Sequence, residues 1–471
     1  MMDSSQISSG DTAWVLASAA LVLLMTPALA LFYGGMVRSR NVLNMMMMSF
    51  ASLGIVGVLW VIYGYSMTFG NSVKGWGIVG DPTEFFGLSK LMSPDAVTGT
   101  IPTFAFAGFQ AMFAVIAVAL ISGAIADRAK FGAWILFAGA WVTLVYFPVA
   151  HWVFDFSTST TTGGWIANKL GAIDFAGGTA VHINAGAAGL ALVLVLGARR
   201  GFGKTAFRPH NLTLVMLGAG LLWFGWFGFN AGSALAANHT AAVAFMTTFV
   251  AAAVSMLSWM VVEHVRDGKA TSLGAASGLV AGLVAITPAA NSVDMFGSVI
   301  IGVAAGAICA FAVGLKYRLG YDDSLDVVGV HLVGGLVGCL LIGVVASDTA
   351  PAGVNGLMHG GGFSLLGKQA VAAGTVLVYS FVVAYLIGWT IKKLSGFRVA
   401  EDAETEGLDI MLHAETAYDL TDSFGHTQKH LHQVSPSVTA GEHPSESITK
   451  ETETKCSTCD PGEEEKISVH V

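Results

Sequence analysis

Two histidines occupy matched places in apolar stretches of this 471-residue chain, His182 in GGTAVHINAGAAGL and His331 in GVHLVGGLVG. The match extends around them: Asp174, Val181, His182 and Gly189 recur as Asp323, Val330, His331 and Gly338, every pair 149 residues apart. A neutral imidazole donates a hydrogen bond from one nitrogen and accepts at the other, so a facing pair can hold or relay a proton without a fixed charge. A lone histidine in such a run reads as a structural hydrogen-bonding residue; a symmetric pair at matched depth reads as a pathway. Asp174 and Asp323 precede the histidines by eight residues, where a carboxylate caps a helix N-terminus and opposes its dipole. Asp174 is also a candidate substrate contact.

The elements that carry these residues are set by hydropathy. The chain is 54% hydrophobic and 11% charged, against roughly 25% charged in soluble proteins. Nucleic-acid binding, a disulfide scaffold and wholesale disorder are excluded on that ground. Apolar runs of about 20 residues predict eleven transmembrane helices centred near Leu21, Gly54, Val115, Ala140, Gly189, Leu222, Ala252, Gly282, Val303, Gly334 and Val382. Asp3 and Asp11 precede the first run and Arg38 and Arg40 follow it, the wrong order for a cleaved signal peptide. That places the N-terminus outside and the C-terminus inside. With this orientation 15 Lys and Arg of the first 400 residues fall in inner segments and four (Lys74, Lys90, Lys169, Lys368) in outer loops, in keeping with the positive-inside rule. The fold class expected is an all-α polytopic membrane protein. Because the repeated motifs belong to spans five and ten, the second copy is inverted, a 5+5 inverted repeat plus one span, with the site at the repeat interface near the midplane. Eight residues of helix rise about 12 Å, so both histidines reach the middle of a layer about 30 Å thick.

Residues 1–400 form the expected membrane domain, 401–420 an ordered cytosolic segment and 421–471 an acidic tail that reads as disordered. The net charge of -8 is divided accordingly: 19 Lys and Arg stand against 15 Asp and Glu up to residue 400, and 4 against 16 beyond it. Cys309 and Cys339 lie in apolar spans and read as packing residues. Cys456 and Cys459 form a tail CxxC without a second ligand pair, which is weak evidence for a metal. No metal or cofactor is expected. HExxH and GxSxG are absent from the sequence and no nucleophile is paired with a base, so an enzyme is not expected.

Several longer motifs occur in order: ALFYGGMVRSRNVL (Ala30 to Leu43), Asp127–Arg128, DFAGGTAVHINAG (Asp174 to Gly186), GWFGFNAGSA (Gly225 to Ala234) and DVVGVHLVGG (Asp326 to Gly335). Over about Asp11 to Leu420 the chain resembles the Amt branch of the Amt/Mep/Rh ammonium transporters. The resemblance implies a homotrimer in the plasma membrane, multi-pass, with one narrow apolar pore per subunit. It implies that ammonium or methylammonium is the substrate and that membrane lipid and a PII-type signal protein at the cytosolic face are partners, with no nucleic acid. By motif, His182 and His331 match the twin pore histidines. Phe113 (in FQAMF) and Phe229 (in GFNAGS) match the stacked phenylalanine gate, and Phe109 and Ser233 the outer recruitment site. The family usually carries a Trp at the end of AH-x-V-W, whereas this chain reads Ala150, His151, Trp152, Val153, Phe154. Phe154 takes the cation-facing place by register, with a weaker aromatic face than Trp; Trp152 and Trp165 are the alternatives.

The chemistry expected is recruitment of NH4+ by a hydroxyl and aromatic faces, loss of a proton at the gate, and passage of NH3 along the histidines, because an intact cation is very costly in an apolar pore. Potassium has no proton to shed. The alternatives are a neutral-gas channel for NH3 or CO2 and an ammonium sensor signalling through its tail.

Overall fold

The computed structural model describes residues 7–418, and the acidic tail with Cys456 and Cys459 lies outside the described residues. Ten helices are long and apolar enough to cross a membrane. In chain order they are α1 (Ser9–Met36), α2 (Val42–Phe69), α3 (Thr103–Ile125), α4 (Phe131–Phe154), α5 (Gly178–Leu196), α6 (Leu212–Gly232), α7 (His239–Asp267), α9 (Met295–Leu319), α10 (Val328–Val345) and α11 (Phe363–Leu394). Between α7 and α9 lies α8 (Ser272–Ile286), which is also apolar but only 15 residues long. Ten of the eleven expected centres fall in the long helices; the eleventh, Gly282, falls in α8. The apolar run there continues, but Pro288 lacks the N–H that would bond to Val284 O and the chain turns after Ile286. The molecule is a multi-pass membrane protein.

Polar residues start the helices where the sequence supplies an acceptor. Ser8, Asn211, Asn238, Thr271 and Asp294 cap α1, α6, α7, α8 and α9, each accepting from the backbone N–H three residues on. Large apolar side chains such as Leu136, Phe224, Leu257, Val261 and Leu386 are exposed on the outer faces, as lipid contact allows. At 32 residues, α11 spans about 48 Å, more than the thickness of a layer of about 30 Å.

Packing follows the repeat. Helices α1 and α6 pack together at the centre, as do α5 and α10. The contacts of α2 with α3 and α4 recur as those of α7 with α8 and α9. The α5–α10 crossing is reciprocal to the residue: a Cβ on Gly186 would lie 2.5 Å from Leu332 N, and one on Gly335 would lie 2.9 Å from Ile183 Cγ1. Gly186 and Gly335, like Ile183 and Leu332, are 149 residues apart. Small residues at the crossing bring the two backbones close, and with them the histidines.

One end of the bundle is sealed by buried ion pairs. Arg199 makes a bidentate contact with Asp322 and a 3.2 Å bond to Asp127. Arg128, fully buried, donates to Ser324 Oγ and to the carbonyl of Asp322, both at 2.6 Å. Two short helices, α12 (Glu401–Glu406) and α13 (Leu408–His413), close over the same end. Asp409 accepts from Leu43 N and Asn44 N at the start of α2, and Arg398 pairs with Glu404 at 2.7 Å.

Candidate functional site

His182 and His331 meet where α5 crosses α10. Their Nδ1 atoms are 3.3 Å apart, the rings are 18° from parallel with centroids 5.3 Å apart, and both residues are buried. One nitrogen of the pair therefore carries the shared proton and the other accepts it. Neither histidine sits on regular α-helix. Each lies in a π turn, Gly178–Ile183 and Val328–Leu332, that opens its helix. A π turn rotates the side chains that follow it off the regular helical register and marks functional sites in many helices.

Two carboxylates organise those turns. Asp174 accepts the N–H groups of Gly177, Gly178, Thr179 and Ala180, and also the Thr179 hydroxyl. Asp323 accepts from Val327 N and Val328 N. Burial raises the Asp174 pKa, and the donors around it pull the other way. Both carboxylates accept backbone N–H groups at the start of their turns.

On one side of the histidines is a small apolar void of about 10 Å³, lined among others by Ile116, Leu120, Trp226, Phe229 and both imidazoles. Space of that size is at the threshold for one water-sized molecule. The Trp226 ring lies 5.4 Å from His182 and 17° from parallel, and its Nε1 donates to Thr287 Oγ1. The sequence reading missed Trp226, although it precedes Phe229 by three residues and so shares its face of α6. His182 Nε2 has no hydrogen-bond partner among the described residues.

Beyond Phe229 the ring of Phe113 follows, centroids 4.3 Å apart and 39° from parallel. Phe113 lines a larger outer cavity of about 340 Å³ and Phe229 lines the inner void, so the ring pair stands between the two. Phe154 and Ser233 line the outer cavity together with Tyr65, Phe106, Gln110 and Asp155. Ser233 Oγ donates to Phe229 O at 2.8 Å, which leaves its lone pairs free to accept.

Of the expected recruitment residues, three lie outside the lining of this cavity. Phe109 is fully buried and meets Phe113 edge-on at 4.9 Å, with its ring edge packed against Gly232. Trp152 donates from Nε1 to Ile78 O and packs against Trp165 and Tyr379. Asp174 is committed to its cap. Among Phe154, Trp152 and Trp165, only Phe154 lines the cavity.

Residues 13–418 match the family model described as Ammonium Transporter Family. Proteins named "Ammonium transporter" from Mycobacterium tuberculosis and Corynebacterium glutamicum are 58% and 47% identical, over 88% of this chain and 91% of the first and over 87% and 90% for the second. Among solved structures, Saccharomyces cerevisiae Mep2 superposes with a TM-score of 0.77 at 34% identity, over 84% of this chain and 89% of that one. A structure titled "Sensor Amt Protein" gives 0.78 at 29%, over 86% and 98%. The stretch that the family model matches carries the ring pair and the two facing histidines on a helical bundle that superposes on Mep2, and the chain belongs to the ammonium transporter family.

Proposed function

We propose that the protein takes up ammonium across the plasma membrane, recruiting NH4+ in the outer cavity and passing NH3 through the histidine-lined void. The observation that carries this reading is the contrast between the two spaces on either side of Phe113 and Phe229. The outer one offers a hydroxyl acceptor at Ser233 and an aromatic face at Phe154, which suit a cation with four N–H donors. The inner one holds about 10 Å³ among apolar walls, too little for a hydrated ion and hostile to a bare one. An ammonium ion that gives its proton to solvent water in the outer cavity, forming hydronium there, enters as a neutral molecule of water's size. The His182–His331 pair then serves it with an acceptor and a donor, while potassium stops at the rings.

The test is uptake of labelled methylammonium and ammonium-evoked current in the same proteoliposomes. Replacing both histidines by leucine is expected to abolish selective flux; full selective transport by a well-folded double variant would sink the proposal. Evoked charge movement separates a transporter from a neutral-gas channel. As in the family, we read the unit as a homotrimer with membrane lipid around it and a PII-type protein as partner at the cytosolic end. The sensor alternative predicts that deleting residues after Leu420 preserves flux and removes a downstream response.

A further inference from the structure

The outer cavity holds a charge that the recruitment scheme leaves unused. Asp155 follows Phe154 at the end of α4 and lines the cavity with Phe154 and Ser233. Its main chain is held on both sides: Asp155 N donates to His151 O at 3.3 Å, and its carbonyl accepts from Gly164 N and Asn168 Nδ2, both at 2.9 Å. Gly163 and Gly164 pass so near that a Cβ on either would overlap the carbonyl oxygens of Asp155 and His151. The direction of the side chain is thus set by an ordered loop.

The carboxylate itself accepts no hydrogen bond from any described residue. The nearest basic group is His151 Nδ1, 3.4 Å from Oδ2. That nitrogen is 2.9 Å from Thr68 O, and since a carbonyl only accepts, its proton is committed there. No Lys or Arg lines the cavity among the described residues. A half-buried carboxylate without donors is unfavourable unless a cation or a proton supplies what the protein does not.

We propose that Asp155 is a cation-binding residue of the outer site, giving ammonium an anionic acceptor beside Ser233 Oγ and the Phe154 ring. Recruitment in this chain then rests on ion pairing as well as on an aromatic face, and the attraction of a carboxylate exceeds that of a phenyl ring. The proposal builds on the ammonium reading and adds to it the residue that sets affinity.

It carries a pH dependence. The groups that face Asp155 are His151 on its own helix, Tyr65 from α2 and Glu84 from the loop after α2. Burial, and then the negative charge of Glu84, push the Asp155 pKa up to about 8. In the empty cavity the carboxyl is therefore protonated below that value, and an incoming cation must displace the proton. Apparent affinity weakens as pH falls through about 8, approaching tenfold per unit well below it. Ammonium stays largely protonated over this range, so substrate supply does not cause the trend.

The experiment measures methylammonium uptake against concentration between pH 6 and 9 in proteoliposomes, for wild type, Asp155→Asn and Asp155→Glu. The Asn variant keeps the shape and loses the charge. At pH 8.5 its half-saturating concentration should rise about tenfold with less than a twofold loss of maximal rate, its pH trend should flatten, and the Glu variant should recover most of the affinity. An Asn variant with wild-type half-saturation and pH profile overturns the proposal. A merely structural role at the helix end would lower the maximal rate and leave half-saturation alone. Calorimetric titration of the detergent-solubilised protein with ammonium chloride reads the same site without transport. Wild-type vesicles that move no ammonium would overturn the transport reading; equal ammonium binding by wild type and Asp155→Asn would overturn this one.

Discussion

Helices α5 and α10 are two copies of one design, and they agree where they cross and differ where they begin. At the crossing every partner is reciprocal: His182 faces His331, Gly186 sits on Leu332, and Gly335 sits on Ile183. At the start, Asp174 gathers four backbone N–H groups and a hydroxyl, whereas Asp323 gathers two N–H groups. The second copy leans on other residues. Lys316 donates to Asp323 O at 3.0 Å and to Asp326 Oδ1 at 2.6 Å, tying the end of α9 to the start of α10. Asp326 and its repeat equivalent Gly177 both have positive φ, 62° and 121°, so the sign of φ is kept while the residue type drifts. Two imidazoles 3.3 Å apart need one geometry at the crossing. A helix start needs only enough acceptors, and several arrangements provide them.

The largest effect expected from this comparison is on Asp174. Asp174→Ala strips the acceptor from four N–H groups, and at about 1 kcal/mol or more for each unmet donor the loss is about 4 kcal/mol or more, seen as a collapse of folded yield and of thermal stability in detergent. A variant as stable as wild type would break the cap reading. Next comes Gly186→Ala, whose new methyl would press on the backbone of α10 and separate the histidines. A loss of about 2–3 kcal/mol is expected, together with a fall in methylammonium flux; Gly335→Ala, whose Cβ meets Ile183 Cγ1 at 2.9 Å and backbone atoms at 3.1 Å and beyond, should cost less. Asp323→Ala removes two acceptors and should cost about 2 kcal/mol, clearly less than Asp174→Ala. Equal costs in a melting series would show that the two starts are not as different as their hydrogen bonds. The smallest effect is Phe154→Trp, which enlarges the aromatic face of the outer site and should tighten half-saturation about threefold.

Much of this could be read from the residues. The 149-residue recurrence marks the histidines, and it does so because inverted copies that must meet at one point keep the residues that meet. Most of the spans were legible because a helix in lipid has to be apolar over its whole length. The outer site was less legible. Phe109, Trp152 and Phe154 are all aromatics near the same mouth, but which of them lines it depends on how each helix is rotated, and only Phe154 does. The π turns were missed for a related reason: their pattern of i→i+5 bonds has no signature in hydropathy, and the carboxylate in front of each accepts N–H groups at its start. Asp155 drew no notice in the sequence because a lone Asp at a helix end reads as solvated; only the fold lays it in a cavity without a donor.

The sequence by itself determined the membrane-spanning architecture, the 149-residue repeat, the paired histidines and the family, since these depend on apolar length, recurrence and motif order. Tertiary structure alone decided which aromatic reaches the outer cavity, how the two imidazoles face, and which carboxylates are satisfied by N–H groups and which is left for a cation. Those outcomes depend on helix rotation and close approach, properties of contacts between segments that are distant in the chain and that no local stretch of residues encodes.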